Sequence, residues 1–359
     1  LWSAVGALHA PRKLARLMAW LGGRTDHMAL EIIAQDGLIA FYLAVPKMLK
    51  EFMEQQVHAQ YPHASLEEVV DYNIFSPRGV TLGANLFCGR SWGFPLKTYK
   101  QFEADPLNSI TNAMSKIVSG DGAAVQFIVR SAPKSWRQAG VKLASAMQQG
   151  KSLHEASGVG AVLKSLHIIN SLVPSSSSKK SSSSASKESY KLSPLEEEMV
   201  KGIEQKASKA GLEVNIRLVA SSHTRETADL YLNNLINAFG QFNVYQYGNQ
   251  FKFKRPRSLD HFLYNFVHRV PVERKRMIMN VEELASLYHF PLPSTETPNI
   301  RWMTARRAAA PVNMPTEGLA LGVNSYRGVD ATVRIKPDDR RRHVYIIGKS
   351  CTGKSVMLQ

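Results

Sequence analysis

HMALEIIAQDGLIAFYLAV, residues 27–45, decides the fold class. Two apolar-rich runs, His27 to Gln35 and Leu38 to Val45, lie either side of Asp36-Gly37, a pair suited to the positive φ angles of a tight hairpin. Two antiparallel strands are the expected result. Downstream, Pro46 opens a helix running to about Gln60, with Met48, Phe52, Met53 and Val57 on one side and Tyr61-Pro62 ending it. A strand is expected from Leu66 to Ile74. Past Pro77-Arg78-Gly79 come two short extended runs, Val80 to Cys88 and Phe94 to Tyr99. Asp105 then caps a helix that has Pro106 at its first position and carries Leu107, Ile110, Met114 and Ile117. Ala123 to Arg130 reads as a strand and Ser135 to Gln149 as a helix. Counted from Leu38, with the two extended runs taken as one strand, the order is β-α-β-β-α-β, a ferredoxin-like arrangement.

Pro174 to Ser189, PSSSSKKSSSSASKES, has only Ala185 to offer a core and is expected to be a solvated linker. After it the same order returns: strand Glu213 to Ala220, helix Thr224 to Phe239, strands Asn243 to Tyr247 and Gln250 to Lys254, helix Ser258 to His268, and a short strand at Met277 to Met279. Asn280 caps a helix from Val281 to His289, with Glu283 as the reciprocal partner of a capping box. Phe290-Pro291-Leu292-Pro293 ends that helix, and Ser294 to Pro315 reads as a traversing loop. The expected fold class is α+β: two ferredoxin-like modules followed by the start of an α/β P-loop domain. The expected segments are a helical 1–26, a first module 27–150, a helix and linker 151–192, a second module 193–293, a connecting loop and entry strands 294–337 and the P-loop start 338–359.

A length of 359 residues suits two domains and the beginning of a third. Lys and Arg number 45 against 29 Asp and Glu, a net charge of +16 that favours polyanions such as nucleic acid or an anionic membrane face. Cys88 and Cys351 stand far apart without metal-ligand spacing, so neither a disulfide framework nor a zinc site is indicated and a reducing cytoplasm fits best. No run of about 20 apolar residues spans a bilayer, and the first segment is interrupted by His9, Pro11, Arg12, Lys13 and Arg16. The chain opens on Leu1 without a signal-peptide pattern, so it reads as a piece of a longer product in which an upstream anchor is open.

Chemistry is concentrated near the end. Val344-Tyr345-Ile346-Ile347 leads into Gly348-Lys349-Ser350-Cys351-Thr352-Gly353-Lys354-Ser355, which satisfies G-x-x-x-x-G-K-[ST] at every fixed position. A buried strand would deliver the chain to a loop whose amides face phosphate oxygens, and glycine permits the close approach. The helix beginning near Lys354 would aim its positive end at the same phosphates. Lys354 is expected to reach the β- and γ-phosphates of ATP, and Ser355 to ligate Mg²⁺. Hydrolysis also needs an acidic metal partner and a water-positioning residue, which the four residues after Ser355 do not supply; this stretch by itself is expected to be inactive.

The run Asp338-Asp339-Arg340-Arg341-Arg342-His343-Val344-Tyr345-Ile346-Ile347 with its octet resembles the opening of the motor domain of HerA/FtsK-superfamily ATPases, most closely bacterial type IV secretion or conjugative coupling ATPases. The stretches from Asn280 to Pro291, Ile39 to Pro46, and Ala59 to Pro62 support the likeness, which covers most of the chain outside the Ser-rich segment. The resemblance implies an ATP-driven machine that moves DNA or DNA-protein substrates, as a homo-hexamer on the cytoplasmic face of the inner membrane, held by upstream helices and engaged with secretion-channel proteins. Cys351 departs from the usual glycine at a free position of the motif. Two alternatives stand beside the motor: an assembly and docking module of a secretion complex, and a chromosomal or repair translocase of the same superfamily.

Other residues carry weaker signals. Arg340, Arg341 and Arg342 read as a solvated strand approach more than as a nucleic-acid contact. Lys252, Lys254, Arg255 and Arg257 interleave with Phe251 and Phe253 as on single-strand binding surfaces, although a half-buried strand shows the same alternation and is the favoured reading. His289 reads as a cap or packing residue. His223, His261 and His268 have no ligand spacing, and Trp92, Trp136 and Trp302 read as core or interface anchors.

Overall fold

A computed structural model describes residues 27–62, 64–133, 135–149, 192–292, 295, 297, 299–300, 310, 314–326 and 329–342. Strands β1 (Met28–Gln35) and β2 (Leu38–Ala44) pair antiparallel from Ala29 opposite Ala44 to Gln35 opposite Leu38. Their turn has φ of 53° at Asp36 and 74° at Gly37, the left-handed pair that a two-residue hairpin needs. A short 3-10 turn then leads into α1 (Lys50–Gln60). Next in order come β3 (Val80–Cys88), α2 (Leu107–Met114), β4 (Gly122–Ser131) and α3 (Ser135–Gln148). They are followed by α4 (Pro194–Ala207), β5 (Gly211–Ser222), α5 (Arg225–Ala238), β6 (Phe251–Lys254) and α6 (Leu259–Val267). The last are β7 (Met277–Asn280), α7 (Val281–Leu287), β8 (Leu319–Tyr326) and β9 (Val329–Ile335).

The fold is α+β with a mostly antiparallel sheet. Seven strands form one sheet in the order β2-β1-β4-β5-β3-β6, with β7 also pairing β5. Strand β5 is buried along its whole length; β4 takes one edge from Leu212 to Ser221, while β7 and β3 divide the other. Strands from both sides of the Ser-rich segment therefore share one sheet, where two separate modules were expected. The physical reason lies in β4 and β5 themselves. Both are buried on both faces, so each needs a hydrogen-bonded neighbour on each edge, and their ten-residue pairing with each other provides one.

Three expected strands are not strands. Leu66 to Ile74 is irregular: Leu66, Val69 and Val70 are exposed, and Tyr72 and Ile74 at its end pack against the second-face cluster. In Phe94 to Tyr99 the amides of Leu96 and Tyr99 donate to Glu283 Oε1 and Ser286 Oγ, each at 2.8 Å, in place of a ladder. Asn243 to Tyr247 is a loop closed by Val244 N–H donating to Asn249 O at 2.8 Å. Neither β-α-β-β-α-β count is met.

Successive residues of the central strands serve opposite faces. Leu30, Ile32, Val125, Phe127, Ile216 and Leu218 belong to the main core with Leu107 and Ile110 of α2, Leu232 and Leu235 of α5, and Leu284 and Leu287 of α7. The other face carries a smaller cluster of Ile33, Ala124 and Val219 with Phe262 and Phe266 of α6. Gly83 makes this second layer possible, since a Cβ there would lie 2.2 Å from the Phe262 ring. Thr224 caps α5 and Ser258 caps α6, where the sequence placed those helix starts, whereas α4 and its Ser193–Glu196 capping box were not anticipated.

The described residues fall into two compact units, one from 1–56 and 70–301, the other from 57–69 and 302–359. In the second, β8 and β9 form an antiparallel hairpin with an irregularity between Ala320 and Gly322, and Leu319, Leu321 and Val323 are exposed.

Candidate functional site

Gly348, Lys349, Ser350, Cys351, Thr352, Gly353, Lys354 and Ser355 lie outside the described residues, as does the expected strand from Val344 to Ile347. The approach to them is described as far as Arg342. Arg340 and Arg341 sit on a 3-10 turn and all three arginines are exposed, Arg342 lying 3.8 Å from Asp339. That is a solvated approach, as expected.

The remaining sequence candidates are placed individually. His289 Nε2 lies 3.0 Å from Asp105 Oδ1 and its Nδ1 lies 3.0 Å from Phe290 O. Both partners are acceptors, so only the imidazolium serves both. Burial works against that charge, but the Asp105 carboxylate outweighs it and the His289 pKa is raised. His261 meets Asn265 at 3.0 Å, and the His268 ring lies tilted against that of Tyr264, their centroids 4.4 Å apart. Trp92 and Trp136 meet edge-on at 6.1 Å, beside buried Ala132 and Ala207, which makes them core anchors. Trp302 lies outside the described residues. No group of three His, Cys, Asp or Glu able to hold a metal occurs among the described residues.

A buried polar row across the second face of the sheet was missed. Glu31, Gln126, Arg217 and Asn85 are direct cross-strand partners on β1, β4, β5 and β3. Glu31 and Gln126 are wholly buried and Arg217 is 1% exposed. Gln126 Nε2 donates to Glu31 Oε1 at 2.7 Å, and Arg217 Nη1 donates to Gln126 Oε1 at 2.7 Å. Arg217 also donates to Asn265 O at 2.9 Å and to Val270 O, closing the carbonyl end of α6. Burial lowers the Arg217 pKa to about 10, with Glu31 opposing the shift.

Arg269 completes the row from outside. It takes φ of 54° just past α6, a position where glycine is usual. The strain is offset by side-chain bonds: Nε and Nη2 grip Glu31 Oε1 and Oε2, each at 3.0 Å, and Nη2 reaches Asp71 Oδ1 at 3.0 Å. Its guanidinium also covers the Tyr72 ring at 5.6 Å. Burial, followed by the charge of Glu31, pushes the Tyr72 pKa upward. This row locks α6 to the sheet. The sequence signal was a polar residue within each apolar run: Glu31 in MALEIIAQ, Gln126 in GAAVQFIVRS, and Arg217, beside Glu213 and Asn215, in GLEVNIRLVASS.

A second buried pair ties α4 to α7. Lys206 Nζ lies 3.1 Å from Glu283 Oε2, both side chains 1% exposed, and donates to Phe94 O at 3.1 Å. Glu283 also completes the expected capping box with Asn280, both bonds 2.8 Å. Nearby Cys88 has its pKa pushed up to about 12 by burial.

The basic strand stands at an edge of the sheet. Phe251 is half-buried, its ring 5.6 Å from Phe239, whereas Phe253 is 50% exposed and Lys252 and Lys254 are exposed. The half-buried strand reading therefore holds for Phe251 and stops there. Arg255 is paired with Asp229.

No helix among the described residues is long and apolar enough to cross a membrane. Comparison with curated proteins and with solved structures gives no match. A family model described as a domain of unknown function, DUF8128, matches residues 7–303. That match covers most of the chain, including the whole seven-stranded sheet, and stops before β8 and the octet at 348–355; the chain belongs to the DUF8128 family.

Proposed function

We propose that this chain is the N-terminal portion of an ATP-driven DNA-translocating ATPase of the HerA/FtsK type, of the kind that couples type IV secretion or conjugation. The observation that carries the reading is the octet Gly348 to Ser355 following the apolar run Val344 to Ile347. In this reading the amides between Gly348 and Ser355 surround the ATP phosphates. Lys354 neutralises the β- and γ-phosphates and Ser355 holds Mg²⁺. The P-loop domain begins at about 338, after the DUF8128 region. The balance of 45 basic against 29 acidic residues supports a polyanionic cargo. Hexamer formation, secretion-channel partners and a place at the inner membrane follow from the resemblance.

A second reading, an assembly module, is favoured by the β8–β9 hairpin. Leu319, Leu321 and Val323 are each at least 42% exposed, apolar side chains available for protein contact.

The test is binding of a fluorescent ATP analogue in the presence of Mg²⁺. Lys354→Ala is expected to weaken it at least tenfold, and Ser355→Ala to abolish its dependence on Mg²⁺. Equal affinity in wild type and Lys354→Ala would remove the nucleotide site and leave the assembly reading.

A further inference from the structure

Strand β6 ends the sheet, and among the described residues no strand pairs with its outer edge. Its four residues divide by side. Lys254 stands opposite Asn85 and Lys252 opposite Phe87, and Asn85 is itself opposite Arg217, so both lysines lie on the face of the sheet that holds the buried arginine. Phe251 and Phe253 lie on the other face.

Positive charge accumulates on the lysine side. Asn215 clamps the chain before Lys275 to the sheet through Val272, donating to its carbonyl at 3.1 Å and accepting from its amide at 2.8 Å. The exposed Arg274 and Lys275 are thereby held on a fixed turn. Lys275 has its pKa lowered by burial and then by the charges of Arg217 and Lys254, so it lies within electrostatic reach of both. The adjacent carboxylates are already engaged: Glu273 by Arg130 and Arg276, and Asp229 by Arg255. Lys252, Lys254, Arg274 and Lys275 form no ion pair with a described carboxylate.

We infer that the open edge of β6 binds a single strand of nucleic acid that straddles it, its phosphates against Lys252, Lys254 and Lys275 on one face and one base turned over the edge against the exposed ring of Phe253 on the other. The two β6 lysines are about 7 Å apart along the strand, a spacing comparable with that of successive phosphates on an extended chain. Sequence-independent single-strand sites combine a basic track with an aromatic face in this way. A lysine-blunted edge needs no exposed ring, and here Phe253 is half-exposed on a strand of only four residues. The inference rests on the edge strand alone and is independent of the nucleotide-binding reading.

The experiment is fluorescence anisotropy of a labelled oligothymidine with the full chain, without nucleotide, across a salt series. Lys252→Ala/Lys254→Ala is compared with Lys47→Ala/Lys50→Ala, which removes the same charge near the opposite edge strand, β2. Each phosphate contact to a single strand contributes a salt slope of about 0.7, so losing two should flatten the log–log slope by about 1.4 and weaken binding about 25-fold at 0.1 M salt. The control pair should change affinity less than threefold. Phe253→Ala should weaken binding about fivefold or more without changing the slope, and Lys252→Arg/Lys254→Arg should restore binding. Equal losses in the two lysine pairs would overturn the inference. So would absence of oligothymidine binding by the wild type, or binding of phosphatidylserine vesicles through these lysines with none of the oligonucleotide.

Discussion

Replacement of Glu31 by glutamine tests whether one buried charge organises the second face of the sheet. The Glu31 carboxylate has no exposure, receives two bonds from Arg269 at 3.0 Å and one from Gln126 at 2.7 Å, and balances the buried Arg217 through Gln126. Removing one partner of a buried ion pair costs about 3–5 kcal/mol, because the remaining charge is left in a medium that solvates it poorly. Glutamine keeps one carbonyl acceptor and Arg269 keeps the half-exposed Asp71, so the lower end, about 3 kcal/mol, is expected. For a unit of this size that is a fall in Tm of roughly 6–12 °C. Arg217→Met, combined with Glu31→Gln, should cost at least 1 kcal/mol less than the two single losses added together, since the double variant leaves no orphaned charge between them. Urea unfolding followed by circular dichroism measures all three. A single-variant cost under about 1 kcal/mol, or additivity within about 0.5 kcal/mol, would show that the row is held by its neutral hydrogen bonds alone.

His289 and Asp105 set a pH window for stability. The His289 pKa is raised in the fold, so its contribution is fully present below the unfolded value of 6.5 and is lost as pH rises through the folded value; Asp105 is lowered, so its contribution is present above 3.8 and lost as pH falls. His289→Gln should therefore flatten the decline in Tm on the alkaline side of pH 6.5, and an unchanged profile would remove His289 from it. Cys88 should resist alkylation: a pKa moved from 9.0 to about 12 leaves about a thousandfold less thiolate near neutral pH. In a Cys351→Ser background, labelling by iodoacetamide should need unfolding in urea, and rapid labelling of the folded chain would contradict the burial.

Local signals in the sequence were legible wherever a few neighbouring residues decide the outcome. Asp36-Gly37 specified the hairpin, Asn280 with Glu283 a capping box, Thr224 and Ser258 helix starts, and Ser135 to Gln149 a helix within one residue of that observed. The missed strands failed for a nonlocal reason. Backbone donors in Phe94 to Tyr99 are taken by side chains 187 residues away, and Val69 and Val70 find no layer to cover them.

By itself, then, the sequence determined the first hairpin, most of the helices, the α+β class, the basic balance and the octet at 348–355, because each of these depends on composition or on residues a few positions apart. Only the tertiary structure decided that β4 and β5 join the regions on either side of the Ser-rich segment into one sheet, and that Glu31, Gln126 and Arg217 meet across three strands. It also decided that Lys252 and Lys254 lie at an open edge while Phe251 faces the core. Strand pairing is chosen by burial and hydrogen-bond demand over the whole chain, and no local pattern encodes which distant strand will meet that demand.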